Sequence, residues 1–219
     1  VKDDEGYRAE IGQALAAGFK EAAPKFGLQI TGEYEYGMAD RQFGAVVSKV
    51  KADAPEVIYA SGYFFNAGPL VSQLRAAGIT APIIGQEGYD SDKFIEIAGA
   101  ASEGTLVTTS LDRDSDVPAT KAFLADYRKA NNAGADMVAA ASFTATSVLI
   151  EGLKRSGGKG GDALRAAMAG GTYVTPIGKL TFNSLNEGAK DIQVQVVKDK
   201  ACRRHSVISD AALLAPPTK

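Results

Sequence analysis

Short apolar runs alternate with helix-like stretches over the first half of this chain, and this alternation constrains the fold more than any other feature. The runs end at prolines or glycines, whereas the stretches between them carry apolar residues at intervals of three and four. We predict strands at residues 28–36, 56–60, 81–85 and 104–110, and helices at 9–26, 43–50, 69–77 and 92–99. Strands separated by helices indicate βαβ units, so we predict an α/β fold with a parallel sheet flanked by helices.

The pattern changes in the second half of the chain. The polar segment "LDRDSDVP" at 111–118 predicts a crossover or hinge, and Asp162 is a plausible N-cap for the last predicted helix. Strand-like alternation returns at 173–200 with a hairpin turn at "NEG", whereas the tail at 201–219 shows no clear register. Before that return we predict helices at 119–131, 136–155 and 163–170.

Composition excludes several classes of partner and site. The 24 Lys and Arg residues against 26 Asp and Glu residues form no dense basic stripe, so we expect no nucleic-acid partner. One cysteine, Cys202, excludes an intramolecular disulfide, and with the single His205 it cannot complete the usual zinc ligand sets. No uninterrupted apolar run approaches the roughly 18 residues of a membrane span. We therefore predict neither a metal nor a cofactor.

Enzyme motifs are absent or out of context. Residues 158–163, "GKGGDA", fit a relaxed dinucleotide fingerprint but follow a predicted helix rather than a strand. His205 lies beside two arginines, which favours a solvated basic cluster. Three alternating carboxylates lack the glycine and distal glutamate of a calcium loop, which favours a solvated hinge; they are Asp112, Asp114 and Asp116. We predict no catalytic residue and no enzyme activity.

Two turns after predicted strands carry the residues best suited to a small ligand. Tyr63, Phe64 and Phe65 follow "EVIYASG", and Glu87 and Tyr89 lie in "GQEGY". In an open parallel sheet, ligands bind at the carboxyl ends of the strands. An aromatic ring and a carboxylate in one cleft suit a ligand with an ammonium group and an apolar part. The alternative is that the aromatic rings are packing residues and that Glu87 caps the following helix.

Three segments resemble a known family. The stretch from "ASGYFFNAG" to "GTLVTTS" is similar to the second lobe of type I periplasmic solute-binding proteins of branched-chain amino-acid ABC importers, which include the leucine/isoleucine/valine-binding proteins. "DDEGYRAE" resembles the family's first turn and helix, and "TPIGKLTFNSLNEGAKD" resembles its returning hairpin. The resemblance runs from about residue 3 to residue 199 and implies the type I periplasmic-binding fold.

The resemblance assigns roles to particular residues. The family's second-lobe ligand residues fall on Tyr7, Tyr63 and Glu87, and the acid at Glu87 receives the α-ammonium of amino-acid ligands. Phe64 and Tyr89 are expected in the pocket wall. The sequence departs from the family at Arg8, where a glycine is usual, and at the two phenylalanines, which favour a bulkier or aromatic solute.

The resemblance also implies an organisation in lobes. Residues 1–112 and 176–200 correspond to the second ligand-binding lobe, residues 113–175 to a hinge crossover and helices of the first lobe, and residues 201–219 to a tail. We expect the first part of lobe one to be missing, because the chain resembles the C-terminal portion of the family's proteins. The missing N-terminal segment, as a separate chain, is an expected partner.

The function implied by the resemblance is transport. Such a protein captures a branched-chain or other hydrophobic amino acid, or an aromatic acid, between two lobes and delivers it to a membrane permease. The implied location is the periplasm. The alternative is a cytoplasmic sensor of amides or amino acids with the same fold, in which closure signals to a partner protein.

Overall fold

The computed structural model describes the backbone of residues 4–214 and the side chains of residues 10–214. The chain forms two compact units, one made of Val1–Thr108 with Val196–Cys202 and the other of Thr109–Gln195 with Arg203–Lys219. Residues 109–195 belong to the second unit. The division into lobes that the resemblance implies stays a prediction.

The first unit is built on a parallel sheet with helices. Its elements are α1 (Asp4–Ala22), α2 (Gly44–Asp53), β1 (Ile58–Ala60), α3 (Phe64–Ala76), β2 (Ile83–Gly85), α4 (Asp92–Ala98) and β3 (Leu106–Thr109), together with residues 196–198 of β7 (Ile192–Lys198) and residues 201–202 of β8 (Ala201–Ile208). Strand β1 pairs with β2 in parallel, with Ala60 opposite Gly85, and β2 pairs in parallel with β3. The full sheet has the order β1-β2-β3-β7-β8 and is mostly parallel, which confirms the predicted α/β fold.

One large apolar core holds the first unit together. Helices α3 and α4 pack closely beside Gly68, where an added Cβ would lie 2.5 Å from Ile97. The turn between β7 and β8 is fixed by Glu103, whose carboxylate accepts the backbone N–H groups of Asp199 and Lys200 at 3.1 and 2.8 Å. The largest fully buried side chains of this core are Phe43, Val71, Leu74, Ile83, Tyr89, Phe94, Val107 and Val197.

Two predictions for the first unit are wrong. Residues 28–36 form no strand, because no described strand offers them a backbone hydrogen-bonding ladder. This segment is instead attached by tyrosine side chains, including Tyr34, whose hydroxyl donates to Asp53. The third helix begins at Phe64 rather than residue 69, so Pro69 lies inside it and Phe64 and Phe65 belong to its first turn.

The second unit is mainly helical, with a small antiparallel sheet. Its elements are α5 (Pro118–Asn131), α6 (Met137–Arg155), α7 (Gly161–Ala169), β4 (Tyr173–Thr175), β5 (Gly178–Phe182), β6 (Gly188–Ala189) and α8 (Ala211–Leu214). In the small sheet β5 lies between β4 and β6. Helix α6 is N-capped by Asp136, whose carboxylate accepts the N–H of Ala139 at 2.8 Å. Among the described residues, this helix is long and apolar enough to cross a membrane, a property that core helices of soluble proteins share.

The structure also corrects the predictions for the tail, for the cap of helix α7 and for the acidic hinge. The tail at 201–219 contains strand β8 and helix α8, and the strand escaped prediction because its sequence, "ACRRHSVI", has no apolar alternation. Helix α7 begins at Gly161, so Asp162 lies in its first turn and not at the cap. The acidic hinge is ion-paired rather than simply solvated, since Arg204 Nε donates to Asp112 at 2.8 Å and its backbone N–H donates to Asp114 at 2.8 Å.

Candidate ligand-binding site

The two predicted turns are neighbours in the first unit. We define residues 61–63 as the first turn and residues 86–88 as the second turn. The register of β1 and β2 places Ala60 opposite Gly85 at the carboxyl ends of both strands, and each turn directly follows one of these residues. Parallel pairing therefore brings the turn with Tyr63 next to the turn with Glu87, as a ligand site at the edge of an open sheet requires.

The side chain of Gln86 joins the two turns. Its Nε2 donates to the carbonyl oxygen of Gly62, and its Oε1 accepts the N–H of Gly88 at 2.7 Å. The residue is 5% exposed. Gly88 lies so close to the first turn that an added Cβ would overlap the carbonyl oxygen of Gly62. The turns are in direct contact, and a side chain at position 88 would separate them.

The backbone of the first turn is held by other side chains as well. The hydroxyl of Tyr36 donates to the carbonyl oxygen of Ser61. Burial raises the pKa of Tyr36 to about 12, so this hydroxyl keeps its proton at neutral pH. The N–H of Tyr63 donates to Oδ1 of Asn66 at 2.9 Å, and the N–H of Asn66 donates back to the carbonyl oxygen of Tyr63 at 3.0 Å. The first turn is thereby fixed at all three of its residues.

Aromatic rings form a group at the start of helix α3. The rings of Tyr63 and Phe65 are parallel, with centroids 5.8 Å apart, and Phe64 meets Phe65 edge-on at 5.3 Å. The guanidinium of Arg41 lies 5.0 Å from the centroid of Phe65. All three rings are half-buried. The group offers an aromatic surface beside the first turn, with one cation at its edge.

Glu87 lies in a single 3₁₀ turn, Glu87–Tyr89, directly after Gln86. Its side chain is half-buried. Helix α4 is capped by Ser91, whose hydroxyl accepts the N–H of Lys93 at 3.2 Å. The alternative that Glu87 caps this helix is therefore wrong.

Tyr89 is the expected ligand residue that the structure places elsewhere. Tyr89 is fully buried, with its ring 5.0 Å from that of Phe94. Burial raises the pKa of Tyr89 well above its usual value, and a Cβ at Gly85 would lie 2.5 Å from its ring. Tyr89 thus belongs to the core, although we expected it in the pocket wall. The backbone of Tyr7 lies in α1, but its side chain is outside the described residues.

Sequence reasoning missed the polar residues that organise the site. Gln86, Asn66 and Tyr36 each bind the backbone of a turn, and none was singled out from the sequence. A signal was available for Gln86, since a polar residue follows a glycine at the end of an apolar strand in "PIIGQEG". Its partners could not be identified, because they depend on which strands pair.

The second unit contains a cavity of its own. It has a volume of about 490 Å³, and its walls include Asp112, Asp116, Lys179 and Arg204. Two of these carboxylates are already paired, Asp112 with Arg204 and Asp116 with Lys121 at 2.8 Å. Among the residues that the structure describes, none of the predicted ligand residues lines this cavity, and no group of three or more His, Cys, Asp or Glu side chains could hold a metal ion.

Residues 6–201 match the family model described as periplasmic binding protein. The chain belongs to the periplasmic binding protein family. This assignment confirms the resemblance to type I solute-binding proteins of the branched-chain amino-acid group. The matched range contains both turns of the site.

Individual relatives agree with the family. The chain is 32% identical over 182 residues to the Leu/Ile/Val-binding protein homolog 3 of Brucella melitensis, covering 82% of this chain and 49% of that protein. It is similar to a leucine-binding protein of Thermotoga maritima, with TM-score 0.84, 24% identity and coverage of 90% and 57% of the two chains. It is also similar to a solute-binding protein of R. palustris in complex with benzoate, with TM-score 0.79, 21% identity and coverage of 89% and 54%. The chain spans about half the length of the curated relatives it matches.

Proposed function

We propose that this periplasmic binding protein captures a small solute for an ABC importer, and that the first and second turns form its half of the ligand site. The observation that carries the proposal is the Gln86 bridge, which holds the turn of Tyr63 against the turn of Glu87. A buried side chain that links two turns at the ends of parallel strands keeps the ligand-facing residues of both in fixed positions.

The solute class we propose is an amino acid with an apolar side chain. The carboxylate of Glu87 suits a ligand ammonium group, and the ring group of Tyr63, Phe64 and Phe65 suits an apolar side chain. Relatives named for leucine, isoleucine and valine support this choice. The benzoate-bound neighbour supports the aromatic-acid alternative, which Glu87 opposes because two carboxylates repel each other.

The mechanism we propose is capture without chemistry. Ligand binding favours a closed conformation only to the extent that the ligand binds that conformation more tightly. Closure around the ligand excludes water and strengthens the contact between the carboxylate and the ammonium group. We further propose that the protein works in the periplasm and delivers the solute to a membrane permease, and membership of the family supports both points.

The test is isothermal titration calorimetry of the purified protein with L-leucine, L-phenylalanine and benzoate. Glu87→Gln keeps the size of the side chain and removes its charge. We expect it to weaken amino-acid binding by about tenfold to a hundredfold, since a charge-assisted hydrogen bond becomes a neutral one. Glu56→Gln is the matched control, because Glu56 is exposed and precedes β1 at the opposite end of the strand.

The direction of the Glu87→Gln effect separates the two solute classes. Weaker L-leucine or L-phenylalanine binding with unchanged benzoate binding supports an amino-acid site. Stronger benzoate binding in the variant supports an aromatic-acid site from which Glu87 repels the ligand. Equal binding by the wild type, Glu87→Gln and Glu56→Gln would contradict the proposed role of Glu87.

A further inference from the structure

We propose that Gln86 is a positioning residue that sets the separation between Tyr63 and Glu87. This inference rests on the proposed function of the two turns as one ligand site. The amide of Gln86 is bound to the glycines beside these two residues. Gly62 directly precedes Tyr63, and Gly88 directly follows Glu87.

Both ends of the Gln86 amide are used. The donor end is bound to Gly62 and the acceptor end to Gly88, in a position that is 5% exposed. A buried amide whose nitrogen and oxygen are both hydrogen-bonded has little freedom to move, because turning it would break these bonds away from water. The bridge therefore holds Gly62 and Gly88 at one fixed separation.

The first turn transmits this spacing to Tyr63. The carbonyl oxygen of Ser61 is held by the hydroxyl of Tyr36, and the N–H of Tyr63 is held by the side chain of Asn66. The Tyr63 ring is in turn stacked on Phe65. A displacement of Gly62 consequently moves Tyr63 as part of a connected group, and the hydrogen bond between Tyr63 and Asn66 reports that movement.

The geometry requires glutamine in particular. Asparagine carries the same amide but is one methylene shorter, so it can reach one turn and not both. Methionine has a similar length but lacks both the donor and a strong acceptor. These differences define a graded series, in which Gln86→Asn loses part of the bridge and Gln86→Met loses all of it. Gln29→Met is the matched control, since Gln29 is exposed.

The experiment measures backbone amide resonances by ¹H–¹⁵N NMR without ligand, and then the dissociation constant for L-leucine. We expect Gln86→Met to shift the amides of Gly62, Tyr63 and Asn66 as well as that of Gly88, and to weaken L-leucine binding by about tenfold. Gln86→Asn should give shifts in the same direction and a smaller loss of affinity. Gln29→Met should change neither measurement.

The outcomes separate this inference from the proposed function. Shifts confined to Gly88, with Tyr63 and Asn66 unchanged, would overturn the positioning role whether or not the protein binds L-leucine. Shifts at both turns without L-leucine binding by the wild type would support the bridge and contradict the choice of solute. If Gln86→Met does not fold, the same two measurements on Gln86→Asn decide the question.

Discussion

The two units differ in how much apolar surface they bury by themselves. The first unit builds one continuous core across its sheet and the helices α3 and α4, whereas the second unit has two small clusters centred on Phe123 and Tyr173. Helix α6 leaves several large apolar side chains exposed, among them Val138, Phe143 and Ile150. A helix that is apolar on most faces is usually buried. The two turns of the proposed ligand site therefore lie on the better packed unit, where turns can be held rigidly.

The largest expected difference concerns buried and exposed phenylalanines. Phe94 is fully buried in the first unit, so Phe94→Ala should lower the free energy of unfolding by about 3–5 kcal/mol. Phe143 is 52% exposed in the second unit, and Phe143→Ala should cost less than about 1 kcal/mol. Urea denaturation of both variants checks the difference. Equal losses would show that α6 is covered in solution.

Glycines in close contacts provide the next comparison. In Gly88→Ala the new methyl group meets the backbone of Gly62, which cannot move freely, so we expect a loss of about 1–3 kcal/mol. In Gly152→Ala the methyl group meets the flexible side chain of Met168, and the alanine favours the helix. Thermal denaturation should therefore show a clear loss for Gly88→Ala alone. A similar loss in both variants would remove the distinction between a rigid turn and an adaptable helix contact.

Tyrosine hydroxyls give a smaller, pH-dependent effect. Tyr36→Phe removes the bond to Ser61 and should cost about 0.5–1.5 kcal/mol, as should Tyr173→Phe, whose hydroxyl donates to Met168 at 2.8 Å. The pKa of Tyr36 is raised from 10.0 to about 12, so folding favours its neutral form. Its contribution to stability is complete below pH 10 and is lost as the pH rises through about 12.

Denaturant unfolding at a series of pH values from 8 to about 12 checks this prediction. The decline in stability above pH 10 should be shallower in Tyr36→Phe than in the wild type. Part of the decline should remain in the variant, because burial also raises the pKa of Tyr89. Identical slopes in the variant and the wild type would contradict the burial of the Tyr36 hydroxyl.

Surface ion pairs should not distinguish the units. Lys93 pairs with Glu96 at 2.7 Å in the first unit, and Arg165 pairs with Asp162 at 3.3 Å in the second. Both pairs are exposed, so Lys93→Ala and Arg165→Ala should each change the free energy of unfolding by less than about 1 kcal/mol. Thermal denaturation at low and high salt measures the change. A larger loss in either variant would point to a packing role for that side chain.

The local sequence predicted the strands that carry the site. The runs at 56–60, 81–85 and 104–110 contain β1, β2 and β3, because short apolar segments between helices have few other structures open to them. Tyr63 and Glu87 were identified from their positions after such runs. Their placement on adjoining turns followed from parallel pairing alone.

The remaining features depend on contacts between distant residues. The Gln86 bridge spans 24 positions to Gly62, and the bond from Tyr36 spans 25 positions to Ser61. Residues 28–36 have the composition of a strand but have no described strand to pair with. Strand β8 lacks that composition but pairs with β7. Strand formation at these positions is decided by pairing, which the local pattern does not contain.

An NMR titration of the wild-type protein with L-leucine tests whether the two turns form one ligand site. We expect concerted, saturable shifts of the amides of Gly62, Tyr63, Glu87 and Gly88 that yield one dissociation constant. Saturable shifts confined to the second unit, or to one of the two turns, would contradict it.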